Sequence, residues 1–127
     1  MNQAMDHETL TATYREATDD EHKKAWGQFF TSPTIAGFMA SLLRPPPRRD
    51  VRVLDPGAGT GVLGLAVAEE LIVHHRVRVH LTAVEKEPGA VAALREAVAL
   101  ARARLGAENL RVDVSADDFL DLDRPRL

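Results

Sequence analysis

The segment Val51-Arg52-Val53-Leu54-Asp55-Pro56-Gly57-Ala58-Gly59-Thr60-Gly61 constrains this chain more than any other. A short β-branched run ends in an acid and a proline, and three glycines then alternate with small residues. Val62 to Val73 follow with helical spacing. Strand, tight glycine turn and helix in that order build a corner that can hold a nucleotide. Glycine lets the backbone turn sharply and lets a ligand come within contact distance of the main chain. The helix start supplies unpaired N–H groups that face such a ligand.

The flanking elements extend this corner into an α/β sheet. Val51–Leu54 reads as a short apolar strand of the buried parallel kind. Val62–Val73 is its crossover helix, and Val77–Val84 is a second strand with Glu85 at its carboxyl end. Pro88 opens a helix through Leu105, with Val91, Leu94, Val98, Ala101 and Leu105 at spacings of 3, 4, 3 and 4, and Gly106 stops it. Leu110–Val114 is a third strand, followed by Ser115 to Leu120. This alternation is the doubly wound parallel pattern. Upstream, Ser32-Pro33 reads as an N-cap followed by proline at the first helical position. Ile35, Phe38, Met39, Leu42 and Leu43 then mark an amphipathic helix, which Arg44-Pro45-Pro46-Pro47-Arg48-Arg49-Asp50 ends. Leu10 to Lys24 is expected to form a marginal helix. Three strands are few for a doubly wound sheet, whose ligand crevice lies beyond the strand carboxyl ends. The chain therefore reads as the first half of a larger fold: residues 1–26 a helical extension, 27–127 a partial ligand-binding domain.

Composition narrows the partners. The 127 residues are 45% apolar and 28% charged, with net charge −3. That is an ordinary soluble balance with no broad basic footprint, so a nucleic-acid substrate would find most of its contact surface elsewhere. With no cysteine, disulfides and thiolate metal sites are excluded. No apolar run approaches the roughly 18 residues of a membrane span. Met1 to Asp20 is polar and acidic rather than a signal peptide, so a cytoplasmic location is expected. His74, His75 and His80 lack the partners of a metal site. Arg95, Arg102 and Arg104 read as a solvated helix face. Arg44, Arg48 and Arg49 read as a solvated linker in preference to a phosphate contact.

Two cofactor patterns overlap at the turn. Gly57-Ala58-Gly59-Thr60-Gly61 is G-x-G-x-G, the S-adenosylmethionine (SAM) pattern. Gly59 to Gly64 also fits the nicotinamide pattern G-x-G-x-x-G, and Glu85 lies 21 residues beyond Gly64. The nicotinamide fingerprint puts its first glycine directly after the strand, whereas four residues intervene between Leu54 and Gly59. Asp55 would set a carboxylate beside a pyrophosphate. The same carboxylate is favourable beside a methionine ammonium. SAM is therefore the expected cofactor. Glu85 can accept from two vicinal ribose hydroxyls. Asp118 can accept from the adenine amine while the Phe119 ring lies against the purine; Asp117 replaces Asp118 if the loop is shifted by one residue. Near the N-terminus, Gly27-Gln28-Phe29-Phe30-Thr31-Ser32-Pro33 sets two aromatics before a helix start. Its hydroxyls and free N–H groups can hold the methionine carboxylate, or the phenylalanines can simply pack a helix onto the sheet.

Together these stretches resemble the adenine-specific (N6) DNA methyltransferases of restriction–modification systems, over about residues 22–122. In that family a Gly-Gln-Phe-Phe-Thr-Pro-like stretch precedes a Leu-Asp-Pro-x-x-Gly-x-Gly turn, an acid ending the second strand, and Asp-Phe-Leu after the third. Here they appear as Phe29–Ser32, Asp55–Gly61, Glu85 and Asp118–Leu120, with Ser32 where the family more often has proline. The resemblance implies the first half of a class I SAM-methyltransferase (Rossmann-like) sheet preceded by N-terminal helices. It implies SAM held by Phe30, Thr31, Asp55, Gly57, Ala58, Gly59, Gly61, Glu85, Asp118 and Phe119, and DNA as the methyl acceptor. The family's catalytic Asn/Asp-Pro-Pro-Tyr/Phe loop has no counterpart between Met1 and Leu127. No catalytic residue is therefore expected in this chain, and a second chain or a missing C-terminal half would complete the sheet. Two rival readings stand beside this one. One is a methyltransferase acting on RNA or protein glutamine, and the other is a non-catalytic SAM-binding remnant.

Overall fold

The strands lie side by side in the order in which they follow in sequence. In the computed structural model, which describes residues 31–118 and Leu120, β1 (Asp50–Pro56), β2 (Arg78–Val84) and β3 (Leu110–Ser115) form one parallel sheet with β2 in the middle. Register places Val53 beside Leu81, and Leu81 beside Val112. Parallel neighbours need crossovers, and these are α2 (Val62–His75) and α3 (Pro88–Leu105). Two right-handed crossovers stepping the same way put both helices on one face. α1 (Pro33–Ser41) precedes β1 and packs on α2.

One core lies between sheet and helices. Leu65, Ala68 and Leu71 of α2 and Ala97 and Ala101 of α3 meet Val79, Leu81 and Leu110 of the sheet. Leu81, Leu94 and Leu110 are fully buried, each worth about 1.5–3 kcal/mol of transfer free energy. The opposite face of the sheet carries Arg52, His80 and Arg111 in one row and Leu54, Thr82 and Asp113 in the next. Leu54 is 55% exposed there. The described residues thus hold one helical layer of the doubly wound arrangement. β1 accordingly alternates half-buried and exposed residues, unlike a strand buried on both faces.

Local chemistry explains most element ends. Ser32 Oγ accepts from Ile35 N–H at 3.2 Å and Pro33 opens α1. The Glu87 carboxylate caps α3, accepting from Gly89 N–H at 3.0 Å and Ala90 N–H at 2.6 Å. Gly106, at φ +98°, ends α3. α2 runs to His75, two residues past the expected Val73, and stops at Arg76 in the left-handed region, φ 54° and ψ 41°.

α1 corrects an expectation. Ile35, Phe38, Met39 and Leu42 are exposed, and Ala36 and Ala40 are buried instead. The helix ends at Ser41, so Leu42 and Leu43 lie beyond it. Two alanines one turn apart let α1 approach α2 closely, which turns the bulky face outward. The helix expected over Leu10–Lys24 and the boundary at residue 26 lie outside the described residues. No described helix is long and apolar enough to cross a membrane.

Candidate functional site

β1 carries Asp55 and Pro56 to the carboxyl end of the sheet, where they still stand beside Ala83 and Val84 of β2. The chain then folds back over that end. Ala58 N–H donates to Val84 O at 2.8 Å, and Gly61 N–H to Ala58 O at 2.9 Å. Gly57, Gly59 and Gly61 have φ of +73°, +59° and +88°, a region that side chains disfavour.

The turn's glycines divide by what they face. A Cβ on Gly57 or Gly59 would meet nothing within 4 Å, so the backbone there is open to a ligand. A Cβ on Gly61 would stand 2.6 Å from Leu94 Cδ1, and on Gly64 2.6 Å from Asp55 Oδ2. Gly61, expected among the ligand glycines, is thus buried against α3, where it lets that helix sit on the turn.

Two carboxylates brace the turn from below. Glu85 is 9% exposed; its Oε1 accepts from Gly59 N–H at 2.8 Å and its Oε2 from Glu87 N–H at 3.0 Å. It clamps the glycine turn to the end of β2, and each oxygen keeps a further lone-pair direction. Asp55 is half-buried and accepts from Gly64 N–H. Gly61 stands at the N-cap of α2 and offers no side chain, so Asp55 supplies the acceptor from the neighbouring strand. Burial holds the Asp55 carboxyl above its usual value of 3.8; the Gly64 N–H opposes this and the Glu85 charge adds to it.

The third strand's exit is laced to the second. Glu85 N–H donates to Ser115 O at 2.9 Å. Asp118 Oδ1 accepts from Leu120 N–H at 3.1 Å, and its Oδ2 lies 3.9 Å from Lys86 Nζ. Asp117 turns back on Ser115, whose Oγ donates to it at 3.1 Å. Asp118 is therefore the acid tied to the exit of β2. Phe30 and Phe119 lie outside the described residues.

Thr31, Asp55, Gly57, Ala58, Gly59 and Thr60 line a cleft of about 100 Å³ together with Val62 and Leu63. That space suits one end of a nucleotide-sized ligand, since whole-ligand pockets span about 300–1,000 Å³. A wider cleft of about 500 Å³ lies between the three helices, lined in part by Glu69, Glu70, His74 and Arg104. It includes none of the turn's glycines. Sequence reasoning missed Thr60 and Glu87, both buried. Glu87 had a readable signal, an acid directly before a proline and glycine that open a helix. Thr60 had none, because its burial follows from how the turn closes.

Comparison with known proteins completes the picture. A model of the family described as N-6 DNA methylase matches residues 9–113. A solved structure of a protein from Listeria monocytogenes, assigned to the class I S-adenosylmethionine-dependent methyltransferases, aligns with 88% of this chain at 17% identity and a TM-score of 0.45. This chain spans 34% of that protein's length. No curated protein sequence matches the chain.

Proposed function

The chain belongs to the N-6 DNA methylase family, and from that premise we propose that its glycine-turn crevice holds SAM for methyl transfer to N6 of adenine in DNA. The observation that carries this reading is the open backbone at Gly57 and Gly59, set beside the half-buried Asp55 and buried Glu85. The two carboxylates repel each other, and burial already disfavours charge on Asp55. A cationic ligand offsets that repulsion. The pyrophosphate of a nicotinamide cofactor would add to it.

The residues present fit SAM. Asp55 stands for the methionine ammonium, directly or through water, and the turn's backbone for the amino-acid end. Thr31 and Phe30 border that end by family resemblance. The remaining lone pairs of Glu85 accept from the ribose hydroxyls. Asp118 accepts from the adenine amine, with Phe119 against the purine face. When bound, SAM supplies a methyl group made electrophilic by its sulfonium. The residues of this chain bind and orient it; none is assigned to the chemistry.

On this reading the 127-residue chain alone transfers no methyl group. No Asn/Asp-Pro-Pro-aromatic loop lies between Met1 and Leu127 to hold a target nitrogen, and alignment of reactants is worth several kcal/mol of barrier. A following segment or a second chain would supply it. Two measurements test the proposal. Calorimetry is expected to show SAM and its demethylated product binding in preference to NAD; NAD binding without SAM binding contradicts the cofactor. Labelled SAM with adenine-containing DNA is expected to give no incorporation by this chain alone, whereas robust methylation contradicts the assignment of chemistry elsewhere. RNA or protein glutamine as acceptor is distinguished by offering those substrates to the chain together with the loop-bearing segment.

A further inference from the structure

The amino ends of the strands carry a charge pattern that the crevice does not use. Arg44, Arg48 and Arg49 flank Pro45-Pro46-Pro47, and Arg76 ends α2. Pro45, Pro46, Pro47, Arg48 and Arg49 face His75, Arg76 and Val77 across a cleft of about 480 Å³. The backbone is held on both sides. Arg48 N–H donates to Pro46 O at 2.8 Å, Arg78 N–H to Arg49 O at 2.8 Å, and Val77 N–H to Leu71 O at 3.3 Å. Each proline also fixes its own φ, so the arginines stand on a stiff loop.

Many of the cations elsewhere have an acid partner, whereas Arg52 and Arg95 stand singly on other faces and Arg102 donates to Leu110 O. Arg78 pairs with Asp50 at 2.8 Å, Arg104 with Glu69, and Arg111 lies 3.9 Å from Asp113. His80 meets Asp113 at 2.6 Å, and His74 and His75 lie 3.7 and 3.8 Å from Glu70. Among the described residues Arg44, Arg48, Arg49 and Arg76 have no carboxylate within 4.0 Å. In a chain of net charge −3 this is a local concentration of unmatched positive charge. Arg76 adds an independent sign. It occupies a left-handed helix end, φ 54°, where glycine is free of the Cβ penalty, and such strain collects where a side chain has work to do.

We propose that this basic cleft is a contact surface for the phosphodiester backbone of nucleic acid, with Arg48, Arg49 and Arg76, which line it, and Arg44, which precedes its prolines, as the phosphate contacts. The guanidinium fork matches two phosphate oxygens at once. Apart from His75 the lining holds no aromatic ring, and it holds no asparagine or glutamine, so its chemistry is mainly that of guanidinium groups suited to phosphate oxygens. It lacks the Trp, Tyr or Phe anchor of a typical protein-binding hot spot. The contact is sequence-independent. It lies at the end of the sheet opposite the glycine turn, so its phosphates are not those of a cofactor. The proposal rests on the methyltransferase reading only in the choice of DNA as probe.

The test is fluorescence anisotropy of the 127-residue chain with a short labelled duplex of mixed sequence over a range of salt concentrations. Four phosphate contacts give an expected slope of log K against log salt of about −3.6. R48A/R49A is expected to weaken binding at low salt at least tenfold and to flatten the slope by about 1.8. R48K/R49K keeps both charges and is expected to keep the slope. R76G is expected to melt no lower than the parent yet to flatten the slope by about 0.9. SAM titration of each variant is expected to match the parent, which separates failure here from failure of the cofactor reading. No duplex binding by the parent at low salt would overturn the proposal, as would an unchanged slope in R48A/R49A. Polyglutamate competing as strongly as duplex would overturn it in favour of an acidic protein partner.

Discussion

The two ends of the sheet handle charge in opposite ways. At the carboxyl ends, Asp55, Glu85, Glu87 and Asp118 each accept from a main-chain N–H, and two of those bonds, from Gly59 and Gly64, brace the glycine turn and the helix after it. At the amino ends, Arg44, Arg48, Arg49 and Arg76 find no acid among the described residues. The first arrangement is set before any ligand arrives: its acids hold the chain in shape, and Asp55 also lines the crevice. The second leaves its charge available to a partner. Substitutions at the acidic end should therefore change stability and ligand binding together. At the basic end they should change binding at little or no cost in stability.

The largest effect is expected at Gly61, where alanine adds a Cβ 2.6 Å from Leu94 Cδ1 at φ +88°. G61A is expected to lose about 2–4 kcal/mol of unfolding free energy in urea melts, from the left-handed penalty plus overpacking. An unchanged midpoint would show that the turn tolerates a side chain there. E85A comes next. It strips the acceptor from Gly59 N–H and Glu87 N–H and is expected to cost about 2 kcal/mol of stability. SAM affinity should fall at least tenfold in the same variant; a loss of affinity with stability intact would make Glu85 a ligand group only.

At the basic end the expected shifts are smaller and one has the opposite sign. R48A should leave stability within about 0.5 kcal/mol of the parent. R76G should raise it by about 1 kcal/mol, because glycine relieves the left-handed backbone. A drop would mean that the Arg76 side chain is part of the packing. The smallest effect concerns pH. Asp55 holds its proton in the native state above the 3.8 at which the unfolded chain releases it. The native state then binds more protons between 3.8 and the raised value, so stability declines as pH rises through that window, and the deficit persists above it. D55N keeps an oxygen for Gly64 N–H and removes the charge. Thermal melts across that window should show a shallower decline in D55N, and identical profiles would mean that Asp55 contributes no such penalty.

Much of this was legible before the structure because it is written in local chemistry. Pro88, the 3–4 spacing and Gly106 define α3 over the residues read from sequence, Pro88–Leu105. The strand–turn–helix corner at Gly57–Gly61 was likewise read from its glycines. The end of α2 was not, because Arg76 carries no sequence sign of a left-handed cap. α1 was read by its bulky residues, yet close packing with α2 selects Ala36 and Ala40. Within the site, the spacing of Asp55, Glu85 and Asp118 could be read, since each ends or follows a strand. The bracing by Asp55 and Glu85 could not. It depends on Gly64 and Gly59 being brought beside acids 9 and 26 residues away, which only the folded turn does.

The most direct measurement is an amide proton–nitrogen NMR titration of the labelled chain with S-adenosylhomocysteine. If the glycine-turn end holds the cofactor, the resonances of Gly57, Ala58, Gly59 and Glu85 shift with saturation, and those of Arg48, Arg49 and Arg76 stay in place. Saturable shifts at the arginines with none at the glycines would contradict the assignment of the two ends.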